Sequence, residues 1–166
     1  MENGIIVRKA EREDVRQIAE ICVEDWQKAY RGIIDDAYLD SLSADTRYEI
    51  EINRYQRFTV AADRDRILGY AWLEETAEEP ADCEVIALYI RYECRKNGIG
   101  KLLLRDAAGR FRETGKKQMI IWCLEGNEES RRFYEKTGGK LFRAGSHPWG
   151  GKAYGMVSYL YDLEEA

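Results

Sequence analysis

The spacing of apolar positions changes period several times along the chain, and each change marks a predicted element. Ile5, Ile6 and Val7 predict a short opening strand. From about Glu11 the period turns helical, with Val15, Ile18, Ala19, Cys22, Trp26, Ala29 and Tyr30 on one face, until Arg31-Gly32 ends the helix. A short helix is predicted over 35–42. Ser43 is placed to cap another that runs to about Tyr55, on which Tyr48 and Ile52 recur. Segments 57–62 and 67–75 then read as strands, and Asp63-Arg64-Asp65-Arg66 between them predicts a hairpin. The acidic stretch 74–82, with Pro80, reads as an exposed connection, and 83–92 as a third strand rich in β-branched and aromatic residues.

A glycine-containing turn follows, then a helix with Ile99, Leu103, Ala107 and Phe111 on one face, stopped by Gly115. The continuous apolar run 118–124, bounded by charge, predicts a strand buried on both faces. Asn127 is placed to cap a helix over 128–137, which Gly138-Gly139 closes. Two last strands are predicted near 140–144 and 153–163, joined by a loop over 145–152. The order β-α-α-α-β-β-β-α-β-α-β-β describes an α/β sandwich on a mixed sheet. No repeat, low-complexity tract or linker interrupts it, so residues 1–166 read as a single domain.

Composition narrows the class. A chain of 166 residues can bury a substantial core. Its net charge of −5, with both signs interspersed, argues against nucleic acid as a partner and slightly favours cationic ligands. Cys22, Cys83, Cys94 and Cys123 are scattered, without a C-x-x-C pair or a neighbouring histidine, which argues against zinc. Each lies in or beside an apolar run, so buried free thiols are expected. Met1-Glu2-Asn3-Gly4 lacks the basic and apolar regions of a signal peptide, and no run of about 18 apolar residues could span a membrane. A reduced, cytoplasmic protein with no membrane partner is expected.

The most informative local feature is strand–Arg95-Lys96-Asn97-Gly98-Ile99-Gly100–helix. Glycine admits positive φ and close approach of another group. The amides and dipole at a helix start favour an anion, and Arg95, Lys96 and Lys101 add positive charge. Two familiar phosphate loops fail here. A Walker A loop needs glycine at position 95 and Ser or Thr at 102, which hold Arg95 and Leu102. A dinucleotide fingerprint needs a third glycine at 103, which holds Leu103.

With its flanks the segment resembles the GNAT superfamily of N-acetyltransferases. Arg95, Gly98 and Gly100 match that family's phosphate-loop motif Q/R-x-x-G-x-G/A, and the run from Glu84 to Ile90 resembles its central bulged strand. The stretch Asn127 to Gly139, containing Ser130, Phe133-Tyr134-Glu135-Lys136 and Gly138, resembles its second signature, N-x-x-A/S-x-x-F-Y-E-K-x-G-F. Gly139 departs from it, because the family usually places Phe there as an apolar anchor. The run Trp26 to Ile33 also resembles a bacterial branch that includes polyamine and small-amine acetyltransferases.

The resemblance implies a mixed, mostly antiparallel sheet of about seven strands, with helices on both faces and splayed central strands. It implies acetyl-CoA as cosubstrate and a small-molecule primary amine as acceptor, acetylated by direct attack in a ternary complex. Relatives are often dimers, so a homodimer is expected. Backbone groups of Leu88, Tyr89 and Ile90 would pair with the pantetheine arm, and Arg95 to Lys101, including Asn97 and Ile99, would hold the pyrophosphate. Asn127 and Ser130 would contact the CoA chain, although an asparagine there is also a favoured helix cap. Tyr134 would protonate the departing thiolate; a phenol of ordinary pKa about 10 keeps its proton at neutral pH.

The amine must lose a proton, since an unperturbed one is neutral in only about 1 molecule in 2,500 at pH 7. Glu84 is the best base on resemblance, against the plainer alternative of an exposed strand-end glutamate. Asp25, Trp26 and Tyr30 would border the acceptor, although packing explains the aromatics as well. Glu24 and Asp25 lean toward polyamine-like acceptors, and amino-acid-like amines are the alternative. His147, the sole histidine, would at most line the pocket. An acetyl-cysteine on Cys94 or Cys123 is disfavoured, because no basic group adjoins Cys123. Two rival functions share the fold: acetylation of a protein N-terminus or lysine, and acyl-CoA binding without catalysis.

Overall fold

The structure is a computed structural model that describes residues 4–165; Met1, Glu2 and Asn3 of the leader-free reading lie outside it. Seven strands form one sheet: β1 (Ile5–Lys9), β2 (Phe58–Asp63), β3 (Arg66–Glu75), β4 (Cys83–Ile90), β5 (Gln118–Leu124), β6 (Lys140–Trp149) and β7 (Lys152–Asp162). Their spatial order is β1-β2-β3-β4-β5-β7-β6. Every neighbouring pair is antiparallel except β4–β5, which is parallel. The sheet is therefore mixed and mostly antiparallel.

The helices are α1 (Val15–Ala29), α2 (Asp36–Ser41), α3 (Ala44–Glu51), α4 (Ile99–Glu113) and α5 (Glu128–Lys136). They divide between the two faces. Ile99, Leu103, Ala107 and Phe111 of α4, with Tyr134 of α5, bury one face; Ile18, Ile21, Cys22 and Trp26 of α1, with Leu39 of α2, bury the other. All four cysteines are free and buried. Among the described residues no helix is long and apolar enough to cross a membrane, and no cluster of side chains could hold a metal.

Several elements differ from the pattern reading. Residues 145–152 are not a loop: β6 and β7 run to Trp149 and from Lys152, joined by Gly150-Gly151, both at positive φ. Glycines at both turn positions match the twist of a tight hairpin, which the periodicity of 145–149 does not announce. The helix near Glu11 begins as a 3-10 turn, Arg12–Asp14, before α1. Ser43 does cap α3, its hydroxyl accepting the Thr46 amide at 3.1 Å, but α3 ends at Glu51. The acidic connection is anchored: the Asp82 carboxylate accepts the Lys117 and Gln118 amides, and Glu78 accepts the Trp122 indole N–H at 3.2 Å.

Candidate active site

The site begins with a defect in strand pairing. β4 and β5 pair only at Cys83–Met119, Glu84–Ile120 and Val85–Ile121. Across the other edge of β4, Leu73 of β3 faces Val85 and Trp72 faces Ala87, so Ile86 is an extra, unpaired residue. A bulge of this kind bends and twists its strand. Past it, β4 keeps its β3 partners, up to Ile90 opposite Gly69, but has none on the β5 side. The two central strands part, and a cavity of about 660 Å³ opens between them, within the usual range for a small-ligand site.

Of the three predicted pairing residues, Leu88 and Tyr89 line this cavity. Ile90 packs into the α4-side core instead, so only its backbone is available. The Tyr89 hydroxyl accepts the Trp26 indole N–H at 2.9 Å. Trp26 thus belongs to the core and to the cavity wall at once, and it meets Tyr30 edge-on at 4.8 Å between centroids.

Beyond β4 a 3-10 turn, Tyr92–Cys94, leads to the glycine loop. Gly98 caps α4 at φ 82°, and Lys96 also takes the left-handed conformation, at φ 65°. The amides of Gly98, Ile99, Gly100 and Lys101 have no backbone acceptor and stand free at the start of a 15-residue helix. Nothing lies within 4 Å of where a Gly98 side chain would begin. Open amides, an empty approach, and exposed Lys96 and Lys101 make a cradle that fits a pyrophosphate. Ile99 is buried and contributes backbone only, while the Asn97 side chain reaches back to the Cys94 carbonyl.

Gly100 has a different reason to be glycine. A Cβ there would lie 3.2 Å from the Phe133 ring of α5, so this glycine lets α5 pack against α4. Arg95 is likewise not a free cation: its guanidinium pairs with Glu129 of α5 and lies over the Tyr92 ring. The loop and the second motif therefore touch twice.

The α5 motif supplies the cavity's polar wall. The Asn127 side chain caps α5 by accepting the Ser130 amide at 3.2 Å, and both residues also line the cavity. Tyr134 is buried, packs against Phe133 and Tyr159, and lines the cavity; burial raises its pKa well above the ordinary phenol value. Its proton is thus held firmly. Cys123 of β5 shares this wall, but burial pushes its thiol up to about 11, which leaves little thiolate at neutral pH.

Two carboxyl groups face the same space. Glu84 is half-buried, and burial, with Glu78 and Glu74 nearby, raises its pKa. Asp25 is 8% exposed, and burial pushes it up to about 6 against the pull of Arg95. Glu24 is absent from the wall; it accepts the Tyr92 amide and pairs with Lys28. His147 lies on strand β6, stacks on Trp149 at 4.3 Å and borders the cavity.

The periodicity of α3 misses a whole wall. Tyr48 and Ile52 suggest an apolar face, yet Tyr48 is only half-buried, beneath the Arg16 guanidinium. The face turned to the cavity carries Arg47 and Glu51, followed by Arg54 just past the helix. Their spacing puts them on one side, but polar residues at that spacing ordinarily signal a solvated face.

The site is thus a bulged and splayed strand pair closed by a glycine loop and a tyrosine-bearing helix, the arrangement that the sequence resemblance implied. Residues 15–139 match the model of the Acetyltransferase (GNAT) family, and the chain belongs to that family. It is 28% identical over 127 residues to an N-acetyltransferase, YuaI, of Bacillus subtilis, covering 74% of this chain and 73% of the relative. It is 26% identical over 148 residues to the spermidine N(1)-acetyltransferase of Thermoplasma acidophilum, covering 83% and 89%. The fold is shared with the PaiA N-acetyltransferase of T. acidophilum, solved in complex with coenzyme A. That likeness has a TM-score of 0.76 at 24% identity and covers 95% of this chain and 98% of the other.

Proposed function

We propose that the protein transfers acetyl from acetyl-CoA to the primary amine of a small molecule. The observation that carries this is the parting of β4 from β5 beside Tyr134. The unpaired edge of β4 at Leu88, Tyr89 and Ile90 offers hydrogen-bonding groups to an extended arm, as an added strand would use them. The free amides of Gly98 to Lys101 offer the anion site at its end. Acetyl-CoA brings an activated acyl group and a thiolate leaving group that needs a proton.

Tyr134 holds that proton. Burial keeps the phenol neutral, and its position on the wall leaves it available to a group in the cavity. Glu84 takes a proton from the attacking amine, directly or through water, and its raised pKa makes it a better acceptor than an ordinary carboxylate. Asn127 and Ser130 flank the arm, and Asp25, Trp26 and Tyr30 close the cavity from α1. The Thermoplasma relative, named a spermidine N(1)-acetyltransferase, supports a small amine as acceptor.

The test is Tyr134→Phe, assayed by thiol release across polyamines, amino acids, aminoglycosides and peptides. Turnover is expected to fall by roughly 10²–10⁴ while calorimetry shows CoA bound as before. Unchanged turnover removes Tyr134 from the mechanism. An absence of thiol release from the unaltered protein with every amine removes the transferase reading.

A further inference from the structure

We propose that the acceptor carries a carboxylate as well as its reacting amine, and that Arg47 is the residue that selects it. The amine half of this rests on the acetyl-transfer reading; the carboxylate half rests on the α3 wall alone. That wall presents Arg47, Glu51 and Arg54 to the cavity. Glu51 is 2% exposed and pairs with Arg54, whose guanidinium lies 4.1 Å from the centre of the Trp72 ring. Among the described residues Arg47 forms no ion pair. The groups facing it are the Cys22 thiol, the Tyr70 hydroxyl and Glu51, which Arg54 already engages.

Cys22 and Tyr70 do not neutralise Arg47, because burial holds both in their protonated, uncharged forms. Two guanidinium groups therefore share one carboxylate on this wall, and one positive charge is left over. A guanidinium drawn partly out of water without a counter-ion is costly, and an anionic ligand group relieves that cost.

Of the uncompensated carboxyl groups on the wall one is Asp25, since Arg95 near it pairs with Glu129, and the other is Glu84. Its acidic neighbours are already engaged: Glu74 pairs with Arg57 and accepts the Trp72 indole, and Glu78 pairs with Arg143 and accepts the Trp122 indole. Among the described residues Glu84 forms no ion pair. The cavity thus holds one free guanidinium and two carboxyl groups without an ion pair among the described residues, Glu84 and Asp25, and so offers a partner to an anionic and to a cationic group alike. Trp26, Trp72, Trp149, Tyr70 and Tyr89 also line it. An amino acid with an apolar or aromatic side chain carries a group of the matching kind for each of these features. A polyamine would leave Arg47 without an anion, and of the two acids that favoured it Glu24 faces elsewhere while Asp25 stays on the wall.

The experiment uses matched probes: L-phenylalanine with phenethylamine, L-leucine with 3-methylbutylamine, and spermidine. Thiol release is measured for each, and calorimetry measures binding of each to protein saturated with CoA. Unaltered protein is expected to favour the amino acids by about 30-fold or more in kcat/KM and in affinity, as expected for a buried charge pair. Arg47→Met should abolish that preference, mainly through KM, while Arg47→Lys keeps part of it; CoA affinity reports that both variants are folded. The carboxyl-free amines matching or beating the amino acids would overturn the proposal, as would an Arg47→Met protein with its preference intact. Carboxylate-dependent binding that Arg47→Met removes, with no thiol release from any amine, would uphold the carboxylate half of the proposal and defeat the transferase reading with the amine half.

Discussion

The ring of Tyr161 stands against Gly139 so closely that a Cβ on Gly139 would lie 2.9 Å from Tyr161 Cζ and 2.9 Å from the Tyr134 carbonyl oxygen. The Tyr161 hydroxyl donates to that same carbonyl at 3.0 Å and bonds the Thr137 hydroxyl at 2.8 Å. Where the resemblance implied an apolar anchor at position 139, the chain has Gly139 with the ring of Tyr161, from β7, packed against it. That ring fixes the end of the helix that carries Tyr134.

Gly139→Ala forces either a backbone oxygen or a packed ring to move. We expect a loss of about 1–3 kcal/mol of stability, seen as a melting temperature lowered by roughly 3–10 °C. A melting temperature equal to that of the unaltered protein would show that the Tyr161 ring yields freely.

Gly98 combines left-handed backbone with open space above it. Gly98→Trp should cost about 1–2 kcal/mol for the strained φ and should also cover the free amides of α4. CoA affinity is expected to fall by about 100-fold or more, read by calorimetry on protein shown folded by circular dichroism. Normal affinity would place the pyrophosphate elsewhere.

In the proposed mechanism Glu84 is a base only when ionised, and its pKa is raised, chiefly by burial. Activity should therefore fall as pH drops through that raised value, above the ordinary carboxylate range. Glu84→Gln should lower turnover by roughly 10² and flatten this acidic limb of the pH–rate profile. A Gln variant that keeps the limb would assign it to another group.

Asp25 titrates at about 6 because its charged form is poorly solvated in the fold. The unfolded chain ionises it near the usual carboxylate value, so stability is lost as pH rises from about 4 to about 6 and stays lower above that. Asp25→Asn removes this penalty. Its melting temperature relative to the unaltered protein should climb across that window, by the equivalent of about 3 kcal/mol at most. A difference that does not vary with pH would show that Asp25 is not strained by its charge.

What the chain specifies locally was legible without a structure. Helical spacing marks α1 and α4, an unbroken apolar run marks β5, and Ser43 and Asn127 mark helix starts by their side-chain oxygens. Gly98 is legible for the same reason, since a helix start that must expose amides at positive φ favours glycine. The extension of β6 through 145–149 was not, because those mostly exposed residues carry little alternation and the hairpin with β7 is set by cross-strand bonds.

The order of the elements and the chemistry of the glycine loop are properties of neighbours in sequence, and the sequence by itself determined them. Tertiary packing decided the rest: that β4 bulges at Ile86 and parts from β5, that Gly100 serves Phe133, and that the Tyr161 ring packs against Gly139. It also turned the charged face of α3 inward. An arginine at position 47 reads as solvated until α1 and β3 close around it, because the cost of a charge depends on what surrounds it and not on its place in the chain.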